Sequence, residues 1–158
     1  MGILRNSIDI ARPPVEVFGY CSDQCNELEW TPGPMKSCEK LTDGPVGLGT
    51  RYRAEWSGAG SRIVEITRHD HPRSWQASAD SGAIGMVFDA SVEAIPGGSR
   101  LVVQTDVRTR GLARLASPLL DWVMQRQRVQ SLAAIKRTLE AKPAAADPID
   151  APGRPWAS

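Results

Sequence analysis

Between Arg51 and Arg110 the chain repeats one pattern. Apolar and polar residues alternate in short runs, and Gly, Pro, Asp or Ser closes each run. In Arg51–Ser57, Tyr52, Ala54 and Trp56 share one face while Arg51, Arg53 and Glu55 share the other. In Gly85–Ile95, Met86, Phe88, Ala90 and Val92 oppose Asp89, Ser91 and Glu93. In Leu101–Arg110, Leu101, Val103, Thr105 and Val107 fall together, and Arg62–Arg68 and Ser74–Ala79 lie between these runs. A period of two specifies half-buried antiparallel strands. Gly58-Ala59-Gly60, His69–Arg73, Asp80-Ser81-Gly82 and Pro96-Gly97-Gly98 supply the turns. Such a sheet has one apolar face, and some other element must cover it.

The flanking segments supply that cover. Leu4–Ile10 reads as a further strand, stopped by Pro13-Pro14. A short helix follows from Val15 through Tyr20, and Cys21-Ser22-Asp23 breaks it with a fresh cap for a second short helix ending near Glu29. Trp30–Pro34 is a loop, and Met35–Leu41 is a strand. Beyond Gly111, Ser117-Pro118 predicts the cap and first residue of a long helix, with Leu112–Ala116 as a preceding turn. Leu119, Leu120, Trp122, Val123 and Met124 are apolar almost all round, which predicts burial on more than one side. The architecture expected is α+β: a seven-stranded curved antiparallel sheet wrapped around one long C-terminal helix, with two short helices after the first strand. A curved sheet gripping a single helix leaves space between them, so a cavity is expected beneath that helix.

A length of 158 residues fits one domain. Residues 1–142 carry all the patterned segments. Residues 143–158 hold four Pro and five Ala with Ile149 and Trp156 as their large apolar residues, the composition of a disordered tail. The net charge of +1 argues against nucleic-acid binding. That value hides a split: −4 over residues 1–107, +6 over 108–142 and −1 over the tail. The basic last helix beside Leu119, Leu120 and Val123 suits either a solvated face or contact with a membrane or a protein, and its apolar start suits a homodimer contact. Neither a signal peptide nor an apolar run of membrane-spanning length is visible. Cys21, Cys25 and Cys38 lack metal or redox spacing and read as free thiols, which predicts a soluble, cytoplasmic protein. His69 and His71 read as an exposed, titrating turn, so neither a metal nor another cofactor is expected.

Five segments in order resemble one superfamily. Ile8–Phe18 looks like its opening strand, Pro pair and Val-Phe helix, and Asp23–Trp30 like its second short helix with a Trp after it. Gly47-Leu48-Gly49-Thr50 is similar to its Gly-x-Gly-Thr turn. Gly97-Gly98-Ser99-Arg100-Leu101 is similar to its Gly-Thr-Arg-Leu hairpin, with Ser in place of Thr, and Leu132–Glu140 to its closing helix. Over about residues 3 to 142 the chain thus resembles the START-like (SRPBCC) superfamily with the helix-grip fold, which includes Bet v 1-like proteins and the polyketide cyclase/dehydrase group. The resemblance implies a cavity for a hydrophobic or aromatic small molecule. It implies no single reaction, and its motifs are scaffold turns that carry over no catalytic residue.

The residues expected to line that cavity are Tyr52, Ala54, Trp56, Trp75, Met86, Phe88, Val103 and Thr105 from the sheet, with Leu115, Leu119, Trp122 and Arg126 from the helix. The same alternation fits a filled core. The Tyr and the two Trp carry polar tips that need partners when buried, which makes them the stronger anchors. Asp23, Glu27 and Glu29 read as solvated helix charges. The expected function is binding or carrying of a lipid- or polyketide-like molecule. The alternative is a polyketide cyclase or dehydratase in which Tyr52, Thr105 and Arg126 would polarise a carbonyl or hold an enolate. A third reading is an interaction module built on the basic helix.

Overall fold

The computed structural model describes residues 2–30 and 34–142. Seven strands form one antiparallel sheet: β1 (Gly2–Ile10), β2 (Met35–Lys40), β3 (Arg51–Trp56), β4 (Gly60–Asp70), β5 (Ser74–Asp80), β6 (Ile84–Ile95) and β7 (Gly98–Thr109). Their order is β1-β7-β6-β5-β4-β3-β2, so β1 closes against the last strand and the rest form a meander. Helix α1 (Pro14–Cys21), a 3₁₀ turn (Gln24–Asn26) and α2 (Glu27–Trp30) join β1 to β2. Asp23 caps the 3₁₀ turn by accepting from the Cys25 amide at 3.2 Å. A second 3₁₀ turn (Gly111–Ala116) leads into α3 (Ser117–Ala141). The cap of α3 is Ala116, which offers no side-chain acceptor, so the helix starts one residue earlier than the Ser-Pro signal predicts.

Two turns show why particular small residues stand where they do. The amide of Gly47 donates to the Thr50 hydroxyl at 2.9 Å, and Gly49 occupies a left-handed conformation at φ 82°. At the β6–β7 hairpin a Cβ on Gly98 would lie 2.1 Å from the Ile10 carbonyl, so any other residue would push β1 away. Beside it, the buried Ser99 hydroxyl donates to the Arg12 carbonyl at 2.6 Å and holds the Pro-rich turn to the sheet.

The inward faces stack in register. Tyr52, Val64, Ala79, Met86 and Val107 make one row across five strands, and Ile66, Ala77, Phe88 and Thr105 make a second. A third row, Trp75–Ala90–Val103, lies nearer α1, where Phe18 meets Trp75 edge-on at 5.3 Å. Phe18 also packs edge-on against His69 and His71 at 5.1 and 5.0 Å. The His-Asp-His segment is thus not simply a loose turn: His69 lies within β4, and both rings border the core.

The thiol expectation is corrected. Cys25 and Cys38 form a disulfide that ties the 3₁₀ turn before α2 to strand β2. Cys21 is the free cysteine among the described residues, and burial pushes its pKa up to about 12. Sequence spacing shows no paired motif because packing of the 3₁₀ turn against β2, not sequence proximity, brings the two residues together. The bridge removes the argument from unpaired thiols on which the cytoplasmic expectation rested. Among the described residues, no helix is long and apolar enough to cross a membrane. The expected tail, 143–158, lies outside the described residues.

Candidate functional site

Beneath the first half of α3 lies an open cavity of about 180 Å³. Its floor is the concave face of the sheet, with Ile84, Met86 and Phe88 from β6 and Val107 from β7. Leu120, Met124, Gln127, Arg128 and Ser131 of α3 form the roof. Glu27 of α2, Trp56 of β3 and Arg62 of β4 stand at the sides. The walls are mainly apolar, and the polar groups are few and specific, which is the usual make-up of a small-molecule site.

Three charged residues set its electrostatics. The Glu27 carboxylate accepts from the Trp56 indole Nε1 at 3.4 Å and from the Gln24 amide. Burial raises its pKa above the ordinary carboxylate value, opposed by the Trp56 hydrogen bond and by the positive charge of Arg128. Arg128 donates to the Thr105 hydroxyl at 3.1 Å and lies over the Phe88 ring, 5.4 Å from its centre. Burial lowers its pKa, and the charge of Glu27 opposes that shift. Arg62 donates from Nη2 to the Ala59 carbonyl at 3.1 Å, while its Nε and Nη1 are buried with no hydrogen-bond partner among the described residues. Among the described residues neither arginine forms a direct ion pair with a carboxylate. Arg62 pairs with Ala54, one inward step beyond the Tyr52–Val64 row, and Arg128 is tied to Thr105 on the far side of that row. Two such steps put the backbone rows of Arg62 and Thr105 about 13 Å apart in the strand direction.

The predicted site residues divide into four groups. Trp56, Met86 and Phe88 line the cavity. Tyr52, Ala54 and Thr105 are buried in the sheet rows that form its floor, and Thr105 reaches the site through its hydrogen bond to Arg128. Trp75 and Val103 are buried in the row nearer α1. Leu115, Leu119, Trp122 and Arg126 are corrections: they lie on the outer side of the helical segment, with Leu115 84 % and Leu119 66 % exposed. The helix is not buried all round. Its cavity face is the stripe Leu120, Met124, Gln127, Arg128 and Ser131, which is less apolar than the outer stripe and therefore did not stand out.

Glu27, Arg62 and Arg128 are the charged site residues the sequence reading missed. Arg62 had a signal, because a period of two puts it on the face of Val64 and Ile66. Arg128 falls at helical spacing from Leu120 and Met124, but that stripe mixes Gln, Arg and Ser. Glu27 had none, since a carboxylate beside Leu28 on a four-residue helix reads as solvated. Burial of Tyr52, and then the nearby Asp23 carboxylate, raise the pKa of its phenol, and its hydroxyl has no hydrogen-bond partner of normal geometry among the described residues.

The sequence profile described as polyketide cyclase / dehydrase and lipid transport matches residues 1–140. No curated protein sequence matches significantly. Solved structures share the fold at low identity. The protein TTHA0849 from Thermus thermophilus aligns with TM-score 0.74 at 18 % identity, covering 90 % of this chain and 100 % of its own. The di-domain ARO/CYC BexL from the BE-7585A biosynthetic pathway aligns with TM-score 0.70 at 17 % identity, covering 89 % of this chain and 47 % of its own. Ara h 8.0201 aligns with TM-score 0.68 at 20 % identity, covering 89 % and 99 %.

Proposed function

Since the chain belongs to the polyketide cyclase/dehydrase and lipid transport family, we propose that it binds a hydrophobic or aromatic small molecule between the sheet and α3. The observation that carries this reading is the cavity itself: about 180 Å³ of mainly apolar space with two arginines and one carboxyl group in its walls. Known apolar cavities of about 150 Å³ accept a benzene-sized guest, so this one has room for an aromatic ring, with the rest of a larger ligand extending through its open side. Arg128 and Arg62 favour an oxygen-bearing group on that ligand, because each buried guanidinium lacks a carboxylate partner and gains from one.

Anilinonaphthalene sulfonate, an aromatic anion, tests the reading. The folded protein is expected to bind one equivalent. Met124→Trp, which fills the space, should weaken binding by about tenfold or more, and Arg128→Met by a smaller factor. Undiminished affinity in a folded Met124→Trp variant would place the probe elsewhere and remove the reading.

One observation favours a catalytic version. Glu27, whose carboxyl is shifted by burial toward its protonated form, shares the cavity with Arg128, so an acid–base group and a cation serve the same space. A keto group there would have its developing oxyanion stabilised by Arg128 while Glu27 moves a proton, the work of a cyclase or dehydratase. Turnover of a poly-ketone surrogate should vanish in Glu27→Gln while probe binding survives. Equal turnover in that variant leaves binding alone.

A further inference from the structure

The stripe that helical spacing assigned to the cavity faces the other way. Leu112 is 86 % exposed, Leu115 84 %, Leu119 66 % and Trp122 60 %. Within α3, Leu119, Trp122 and Arg126 recur at the three- and four-residue intervals that keep side chains on one helical face, and Leu112 and Leu115 precede them in the 3₁₀ turn. Large apolar side chains in a contiguous exposed patch mark an interaction surface rather than chance exposure.

The charges beside the patch say what it meets. Of the basic residues in 108–142, Arg108, Arg110, Lys136 and Lys142 pair with carboxylates and Arg128 faces the cavity, which leaves Arg114, Arg126 and Arg137 exposed, with Asp121 as the acidic residue of the docking segment. Arg114 is exposed within the patch, and the Arg126 guanidinium lies over the Trp122 ring, 5.8 Å from its centre. A second copy docked through the same face would set two faces with more arginine than carboxylate against each other, which gives an isologous dimer no net charge complementarity. An anionic lipid surface satisfies both features: leucines and a tryptophan enter the headgroup boundary while arginines meet the phosphates. We propose that the segment from Leu112 to Arg126 is a docking face for anionic membranes. Its position gives the contact a use, since Trp122 and Arg126 line a shallow groove with Pro34, Ser57 and Gln127, and the last three also border the cavity. A docked protein thus holds the cavity mouth at the bilayer surface. The docking face stands on exposure and charge, whatever the cavity binds.

Co-sedimentation of the full chain with vesicles tests this. Phosphatidylcholine vesicles containing phosphatidylglycerol should capture the protein, and phosphatidylcholine alone should capture far less. Leu115→Asp with Leu119→Asp should reduce capture about tenfold or more, as should Arg114→Glu with Arg126→Glu, and added salt should weaken it. Unchanged thermal unfolding shows that these exposed substitutions leave the fold intact, and unchanged anilinonaphthalene sulfonate binding separates the face from the cavity. Three results overturn the proposal: no capture by anionic vesicles, capture that the variants do not alter, or a dimer in sedimentation velocity that the leucine substitutions dissolve without any vesicle binding.

Discussion

The C-terminal half of α3 buries Leu132, Ile135 and Leu139 at 3 to 4 % exposure, whereas its first half leaves Leu119 and Trp122 at 66 and 60 %. Both halves carry large apolar residues at helical spacing. The second half lies on β1 and is tied there by polar contacts: the Ala11 amide donates to Glu140 at 3.0 Å, and Lys136 donates to Glu140 and to the Asp9 carbonyl, each at 2.7 Å. The Lys136 hydrogen bond, and then that of the Ala11 amide, hold the Glu140 carboxyl below its ordinary pKa. The first half spans the cavity, so the sheet offers its inner stripe an open space and its outer stripe nothing. Apolar spacing tells which residues share a face. It does not tell whether protein or solvent lies opposite that face. One helix is therefore an anchor at one end and a roof at the other, and the two ends should respond differently to substitution.

The largest effect is expected in the anchored half. Ile135→Ala should cost about 2 to 5 kcal/mol in denaturant unfolding, the usual range for emptying a buried aliphatic site. A loss below about 1 kcal/mol would mean that this half is no better packed than the other.

A smaller effect, with a distinctive pH dependence, is expected at the cavity. Glu27 has a raised pKa, so between its ordinary and its folded value the folded protein holds more protons than the unfolded chain. Its contribution to stability is full below the ordinary value of 4.5 and is lost as pH rises through the folded pKa. Glu27→Gln removes that loss. The stability advantage of the variant over the wild type should therefore grow from acid to neutral pH in urea titrations. An advantage that stays flat, or that shrinks toward neutral pH, would remove Glu27 from the buried wall. The comparison must be a difference, because Asp9 and Glu140, with lowered pKa values, contribute in the opposite sense.

The smallest effect is expected on the roof's outer face. Leu119→Ser should change stability by no more than about 0.5 kcal/mol, as exposed substitutions do. A loss comparable to that of Ile135→Ala would show the outer stripe to be covered by protein and would erase the contrast between the halves.

Much of the fold was legible because local rules and tertiary structure agree. Alternation in Arg51–Trp56 put Tyr52, Ala54 and Trp56 on the face that the sheet turns inward. The Gly97-Gly98-Ser99 hairpin was visible, and the close approach of Ile10 explains its glycine. The site was legible on its sheet side, where Trp56, Met86 and Phe88 follow a period of two. It was not legible on its helical side. A helix that is apolar on two stripes has no internal cue for which stripe faces the sheet, and the more apolar stripe is the one left outside.

The amino-acid sequence by itself determined most of the elements, their order and the inward faces of β3, β6 and β7, since those depend on periodicity and turn chemistry within a few residues. Tertiary structure decided what no local rule contains. It set the rotation of α3 over the cavity and drew Glu27, Arg62 and Arg128, from three distant segments, around one space. It also joined Cys25 to Cys38. These follow from how helices and turns pack on the sheet, and that packing belongs to the whole chain rather than to any stretch of it.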